Sequence, residues 1–164
     1  MAVDGDHLLP EIERVYRQRL GQFVRVGQAI LGDREAAVDA VHEAFASAIR
    51  ARGTYRGEGP LDAWLWRAVV NSARRAAREA TPQQQGTDVD GMEAGPAPEL
   101  VQVSPLVAAL PERQRLVVFL RYYADLDYRA IAEVLGVTVG TVSASLAAAH
   151  ARIRSALEEA KQHA

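Results

Sequence analysis

Arg67, Asn71, Arg74, Arg75 and Arg78 follow one another at spacings of 4, 3, 1 and 3 residues, which sets them along one stripe of a 3.6-residue helix. Four guanidiniums around one amide suit a nucleic-acid backbone. Arginines hold phosphates whatever the sequence, and an Asn side chain can pair with the edge of a base. Only Glu79 lies among the four arginines, so their charge is not neutralised along the helix as on an ordinary solvated face. Just upstream, Tyr55-Arg56-Gly57-Glu58-Gly59-Pro60 places an aromatic ring beside a cation in a turn-forming loop. Tyr55 can stack on an unpaired base or fold back on its own lobe as a lid, and the residues favour neither.

A second constellation runs from Leu126 to Arg154. Ile131, Ala132 and Leu135 share one helix face, Gly136 supplies a left-handed turn, and Thr138 stands where it can cap a second helix that buries Val142 and Leu146. That register predicts a helix-turn-helix, with Ala132 small where the two helices approach. Yet the segment from Ser143 to Ala151 contains no Lys or Arg, and only Arg152 and Arg154 follow. A third surface is acidic: Glu35, Asp39, His42 and Glu43 line the side of a helix opposite its apolar stripe. It reads either as a solvated face or as a seat for a basic partner. His42 has no metal-ligand company there. No nucleophile–base pair with an orienting group and no phosphate-binding glycine loop occurs, and the chain has no Cys, so neither an enzyme nor a metal or cofactor site is expected.

These residues need helices to position them. The 164 residues are 49% hydrophobic and 6% aromatic, rich in Ala and nearly free of β-branched alternation, so the fold class is all-α. Two small helical domains are predicted, spanning residues 1–80 and 105–164, joined by a flexible linker at 81–104. Three helices make the first: Pro10 to Leu31, with Ile12, Val15, Tyr16, Leu20, Phe23, Val26 and Ile30 near one face; a second, after the Gly32-Asp33 break, burying Ala37, Val41, Ala44, Phe45, Ala48 and Ile49; and Leu61 to Ala80, with Leu61, Trp64, Leu65, Ala68, Val69, Ser72 and Ala76 as core. The second domain opens with a short helix from Pro105 to Leu110 and a helix started by Pro111-Glu112. The linker carries Asp88, Asp90, Glu93 and Glu99 and no base, whereas the first domain has 12 Arg against 11 acids and the second 7 Lys or Arg against 6. Neither domain has the strongly basic balance of an autonomous DNA binder. No apolar run approaches the roughly 20 residues of a membrane span, and the acidic N-terminus lacks a signal-peptide core. A cytoplasmic protein with no membrane contact and no small-molecule substrate is expected.

In this order the motifs resemble the extracytoplasmic-function sigma factors, the small two-domain class of the sigma-70 family of bacterial transcription initiation factors. Gly32-Asp33 with Asp39-Ala40-Val41-His42-Glu43-Ala44-Phe45 is similar to region 2.2 of that family. Tyr55-Arg56-Gly57, Ala63-Trp64-Leu65-Trp66-Arg67 and Asn71 are similar to its promoter-melting segment. Leu110-Pro111-Glu112-Arg113-Gln114-Arg115, Leu120-Arg121-Tyr122 and Gly140-Thr141-Val142 are similar to region 4. The resemblance implies partners and roles. Asp39, His42 and Glu43 would meet the basic coiled coil of the β′ subunit of core RNA polymerase, His42 standing where Gln is usual. Tyr55, Arg56 and Asn71 would handle the −10 element, where an unstacked base is held, while Arg67, Arg74, Arg75 and Arg78 grip phosphates. Region 4 would meet the β flap and turn Arg121, Thr138, Thr141, Ser143, Ala144, His150 and Arg152 towards the −35 element of promoter DNA. The acidic linker would follow the polymerase cleft towards the RNA exit channel, and an anti-sigma factor would restrain the whole.

The recognition helix departs from the family. Where relatives commonly write Gly-Thr-Val-Lys-Ser-Arg-Leu-x-Arg-Ala-Arg, this chain has Gly140-Thr141-Val142-Ser143-Ala144-Ser145-Leu146-Ala147-Ala148-Ala149-His150. Two readings therefore stand beside each other: a sigma factor that opens promoters, and a sigma-fold regulator acting mainly through protein contacts with weak −35 recognition. A stand-alone helix-turn-helix regulator leaves the first domain unexplained. The charge depletion is directly testable. Residues 104–164 should bind duplex DNA with a shallow salt dependence. Ser143→Lys, Ser145→Arg and Ala148→Arg together should steepen the log–log slope by up to ~2.7, about 0.9 per phosphate contact. Fluorescence anisotropy across a salt series measures it, and tight, selective binding by the unmodified fragment would defeat the argument.

Overall fold

The computed structural model describes residues 5–80 and 105–163; the stretch read as a linker lies outside them. The described residues form seven helices: α1 (Gly5–Leu31), α2 (Arg34–Arg50), α3 (Leu61–Ala80), α4 (Pro105–Ala108), α5 (Glu112–Tyr122), α6 (Tyr128–Leu135) and α7 (Val139–Gln162). A single 3-10 turn, Arg52–Thr54, follows α2. No strand occurs among the described residues, in keeping with the all-α expectation, and no single helix there is long and apolar enough to cross a membrane.

Helices α1, α2 and α3 pack on one another as a three-helix lobe. Helix α1 begins at Gly5 instead of near Pro10, because Leu8 extends the buried row of Ile12 and Val15 by one turn. Of the face expected for α1, Ile12, Val15, Phe23 and Val26 are buried, while Tyr16, Leu20 and Ile30 pack against the core from its edge. Asp33 caps α2, accepting from the Ala36 N–H at 2.7 Å. Contact between α1 and α2 is close at Gly27, where an added Cβ would stand 3.3 Å from the Ala37 Cβ. The buried face of α2 is rolled towards that contact. Ala40 is buried and Ile49 is 38% exposed, which corrects the expectation that Ile49 belongs to the core.

Helix α3 brings the larger correction. Its buried residues are Ala63, Leu65, Trp66, Val69, Val70, Ser72 and Ala73. Trp66 has no exposed surface, whereas Leu61, Trp64 and Ala68 are half-buried and only pack against the core. Trp66 stacks at 4.2 Å on Phe23, a ring large enough to decide the rotation of α3. Ser72 lies under the neighbouring helix and donates to the Ala40 carbonyl at 2.8 Å, which satisfies its buried hydroxyl.

In the second lobe α7 packs on α5, α6 and α4. Gly136 ends α6 in the left-handed region at φ 68°, and its N–H returns to the Ala132 carbonyl. The Thr138 hydroxyl accepts from the Thr141 N–H at 3.1 Å and so caps α7. Ile131, Ala132, Leu135, Val142 and Leu146 are all buried, as the helix-turn-helix register requires. Arg115 is buried and donates to the Ala108 carbonyl at 3.0 Å, tying α4 to α5. Burial lowers its pKa, with Glu112 acting in the opposite direction.

The two lobes touch. Their buried apolar side chains form one contiguous cluster, through contacts of α1 with α5 and of α3 with α6. Arg25 donates to the Tyr123 hydroxyl at 2.6 Å and lies over that ring at 5.1 Å, while Arg19 donates to the Ala124 carbonyl at 3.2 Å. Arg74 faces Glu112 at 3.5 Å across the same junction.

The two tryptophans should behave differently on truncation. Trp66→Ala should cost about 3–5 kcal/mol by emptying a fully packed site. Trp64→Ala should cost about 1–2 kcal/mol, since only part of its ring is removed from water. Urea unfolding of both variants measures the difference, and equal losses would mean that α3 is not rotated as described.

Candidate nucleic-acid and partner interfaces

Once Trp66 points inwards, the opposite side of α3 is determined by helical geometry. Arg67, Asn71, Arg75 and Arg78 are exposed together on it, and Arg74 is half-buried where it meets Glu112. The five expected residues thus share a face, but one of its cations already has a carboxylate partner from the other lobe. Both members of that pair retain water contact, so the interaction contributes at most about 1 kcal/mol and is exchangeable.

In the loop before α3, Tyr55 is folded back on its own lobe. The Tyr55 ring packs at 5.4 Å against Trp64, and its hydroxyl donates to the Gly59 carbonyl, closing the loop on itself. Burial, and secondarily the Glu11 carboxylate, raises the Tyr55 pKa above its ordinary value. Arg56 is exposed beside it. Tyr55, Arg56, Trp64 and Arg67 form one wall of an open cleft of about 930 Å³, whose other wall includes Arg129 and Glu133 of α6. Sequence reasoning missed this second wall, since it depends on how the lobes meet.

On the recognition helix, Ser143, Ala144 and His150 are exposed, and Thr141 is half-buried. Thr138 is occupied as the cap and its hydroxyl also lies 3.0 Å from that of Thr141. His150 Nε2 is 3.1 Å from the Tyr122 hydroxyl. Arg121 donates to the Leu126 carbonyl at 3.4 Å and sits 3.9 Å from Asp125, so it braces the turn between α5 and α6. Arg152 is exposed further along α7, beside α4. From Ser143 to Ala151 the helix presents hydroxyls and methyls with one imidazole, and its cations are Arg152, Arg154 and, in the last turn, Lys161.

The acidic face of α2 is on the surface of the first lobe, with Asp39, His42 and Glu43 all exposed. Glu43 accepts from Ser47 and Arg50, each at 3.2 Å, a pair open enough to water to be traded for a partner's cation. His42 Nε2 lies 3.1 Å from the Tyr16 hydroxyl. No group of three or more His, Cys, Asp or Glu side chains that could hold a metal ion occurs among the described residues.

Comparison with known proteins agrees on what kind of chain this is. Residues 15–82 match sigma-70 region 2, and residues 100–153 match sigma-70 region 4. The chain is 30% identical over 158 residues to the RNA polymerase sigma-H factor of Pseudomonas aeruginosa, covering 85% of this chain and 80% of that protein. It is 32% identical over 123 residues to the extracytoplasmic-function RNA polymerase sigma-E factor of Escherichia coli, covering 63% of this chain and 64% of that relative's length. The fold superimposes on the sigma factor RpoE of Bartonella quintana, solved with the anti-sigma factor NepR, with a TM-score of 0.69 at 17% identity, over 92% of this chain and 98% of that one. It superimposes likewise on CnrH, solved with the cytosolic domain of CnrY, with a TM-score of 0.68 at 20% identity, over 90% and 88% of the two chains. With region 2 followed by region 4 along one chain, this protein belongs to the extracytoplasmic-function group of the sigma-70 family of RNA polymerase sigma factors.

Proposed function

We propose that this chain binds core RNA polymerase in the cytoplasm and directs it to promoters, as a transcription initiation factor without enzymatic activity of its own. The observation that carries the proposal is the match to regions 2 and 4, in that order, over residues 15–82 and 100–153. The exposed carboxylates of Asp39 and Glu43 suit the basic coiled coil of the β′ subunit, and His42 between them adds a hydrogen-bonding group. Asn71 and the Tyr55–Arg56 loop are assigned to the −10 element, with Arg67, Arg74, Arg75 and Arg78 on phosphates. Region 4 is assigned to the β flap and the −35 element, through Arg121, Thr138, Thr141, Ser143, Ala144, His150 and Arg152. An anti-sigma factor is proposed as a further partner, as both superimposed sigma factors were solved with a bound protein and NepR is named as an anti-sigma factor.

The geometry adds a condition. A nucleic acid laid along α3 meets Arg129 and Glu133 of α6 across the cleft, and Arg74 is held by Glu112. Engaging the whole stripe therefore needs α6 to withdraw and Glu112 to release Arg74. On the recognition helix, each absent phosphate contact lowers the salt slope by about 0.9, so −35 binding should depend less on salt than in relatives with a basic helix.

Co-purification with core polymerase, followed by runoff transcription on genomic fragments, tests the proposal, and absence of any complex would overturn it. Asp39→Arg with Glu43→Arg should reduce core affinity at least tenfold while leaving the melting temperature near wild type, because both residues are exposed. Unchanged affinity would place the polymerase contact elsewhere. For promoter opening, Asn71→Ala should alter preference at one −10 position, whereas Arg75→Ala should weaken all sequences alike. Binding to a promoter library reads both, and a uniform loss from Asn71→Ala would make that amide a backbone contact.

A further inference from the structure

A row of aromatic rings runs from the centre of the first lobe to its acidic face. Trp66 lies 4.2 Å from Phe23, Phe23 meets Phe45 edge-on at 5.2 Å, and Phe45 meets Tyr16 edge-on at 5.1 Å. The Tyr16 hydroxyl is then 3.1 Å from His42 Nε2. Trp66, Phe23 and Phe45 are buried, Tyr16 is half-buried and His42 is exposed. Edge-to-face packing against a buried ring restrains rotation, so the Tyr16 hydroxyl is placed by the core and not by a free surface side chain.

The Tyr16–His42 hydrogen bond can run in either direction, and the two directions present different groups to a partner. The neighbours of His42 on the exposed side of α2 are Glu35, Asp39 and Glu43, all acceptors when ionised. A partner suited to that face brings ammonium or guanidinium donors. An imidazole protonated at Nδ1 accepts from the Tyr16 hydroxyl and turns an N–H outward, where it opposes the donors of such a partner. An imidazole protonated at Nε2 donates to the Tyr16 oxygen and leaves Nδ1 as one more acceptor.

We propose that Tyr16 is a positioning residue for the polymerase-facing side of α2: its oxygen accepts from His42 Nε2–H and holds the ring in the tautomer whose bare Nδ1 accepts from a basic partner surface. This rests on the reading that α2 meets core polymerase. It extends that surface onto α1, a helix that carries none of the residues assigned to it from sequence.

Two measurements on the full chain test this. Long-range ¹H–¹⁵N spectra of the imidazoles should show His42 protonated at Nε2 and bare at Nδ1. Tyr16→Phe, which keeps the stacked ring, should shift the His42 signals and leave those of His150 in place. A ring protonated at Nδ1 would overturn the proposal. Core affinity should fall about three- to tenfold in Tyr16→Phe, the scale of one hydrogen bond, with no change in melting temperature. In a His42→Ala background, which has no imidazole to orient and itself binds core more weakly, adding Tyr16→Phe should cost nothing further. An equal loss from Tyr16→Phe in both backgrounds, or none in either, would make Tyr16 a packing residue only. Failure of the wild-type chain to bind core would instead overturn the polymerase reading, an outcome distinct from failure of the coupling.

Discussion

The burial of Trp66 is the constraint on which the first lobe depends. Its indole is wholly removed from water and stacked on Phe23, and a side chain of that size has few places to go in a three-helix core. Placing it inward fixes the rotation of α3 about its own axis. Because residues at spacings of three and four share a face, the same rotation turns Arg67, Asn71, Arg75 and Arg78 outward together. The outward stripe of three arginines and one asparagine is thus a consequence of core packing. The aromatic row from Trp66 through Phe23 and Phe45 to Tyr16 carries the same order across to α2, where the partner-facing carboxylates stand.

The junction between the lobes draws on a different balance. Its polar ties, Arg25 to Tyr123, Arg19 to Ala124 and Arg74 to Glu112, involve groups that keep some water contact. Such pairs contribute little each, so the apolar contact of α1 with α5 and of α3 with α6 holds the lobes in register. The ties instead choose which cations are spoken for. Arg74 belongs to the α3 stripe by its spacing and to the junction by its ion pair with Glu112.

In the helix-turn-helix the residues that make the fold are separate from those on its outer face. Its packing needs only Ile131, Ala132, Leu135, Val142 and Leu146, with Gly136 and Thr138 at the turn, and every one is in place. The outward positions are free of that requirement, and here they carry Ser, Ala and one His. From Ser143 to Ala151 the helix therefore offers no Lys or Arg for the electrostatic attraction to phosphate that dominates sequence-independent DNA affinity.

Local rules made much of this protein legible without coordinates. Helix periodicity, the Asp33 and Thr138 caps, the left-handed Gly136 and the charge stripes depend on residues within four positions of each other, so composition and spacing suffice to read them. Whether Trp64 or Trp66 enters the core does not depend on spacing alone, because the two lie near opposite edges of one apolar stripe. Only packing against Phe23 chooses between them. For the same reason Ile49 was legible as apolar but not as exposed, since the close contact at Gly27 rolls α2 away from it. The ties of Arg19 and Arg25 to Tyr123 and Ala124, of Arg74 to Glu112 and of Tyr16 to His42 join residues far apart in the chain. Such contacts exist only after the helices have packed, so tertiary structure alone decided which charges face a partner and which face each other.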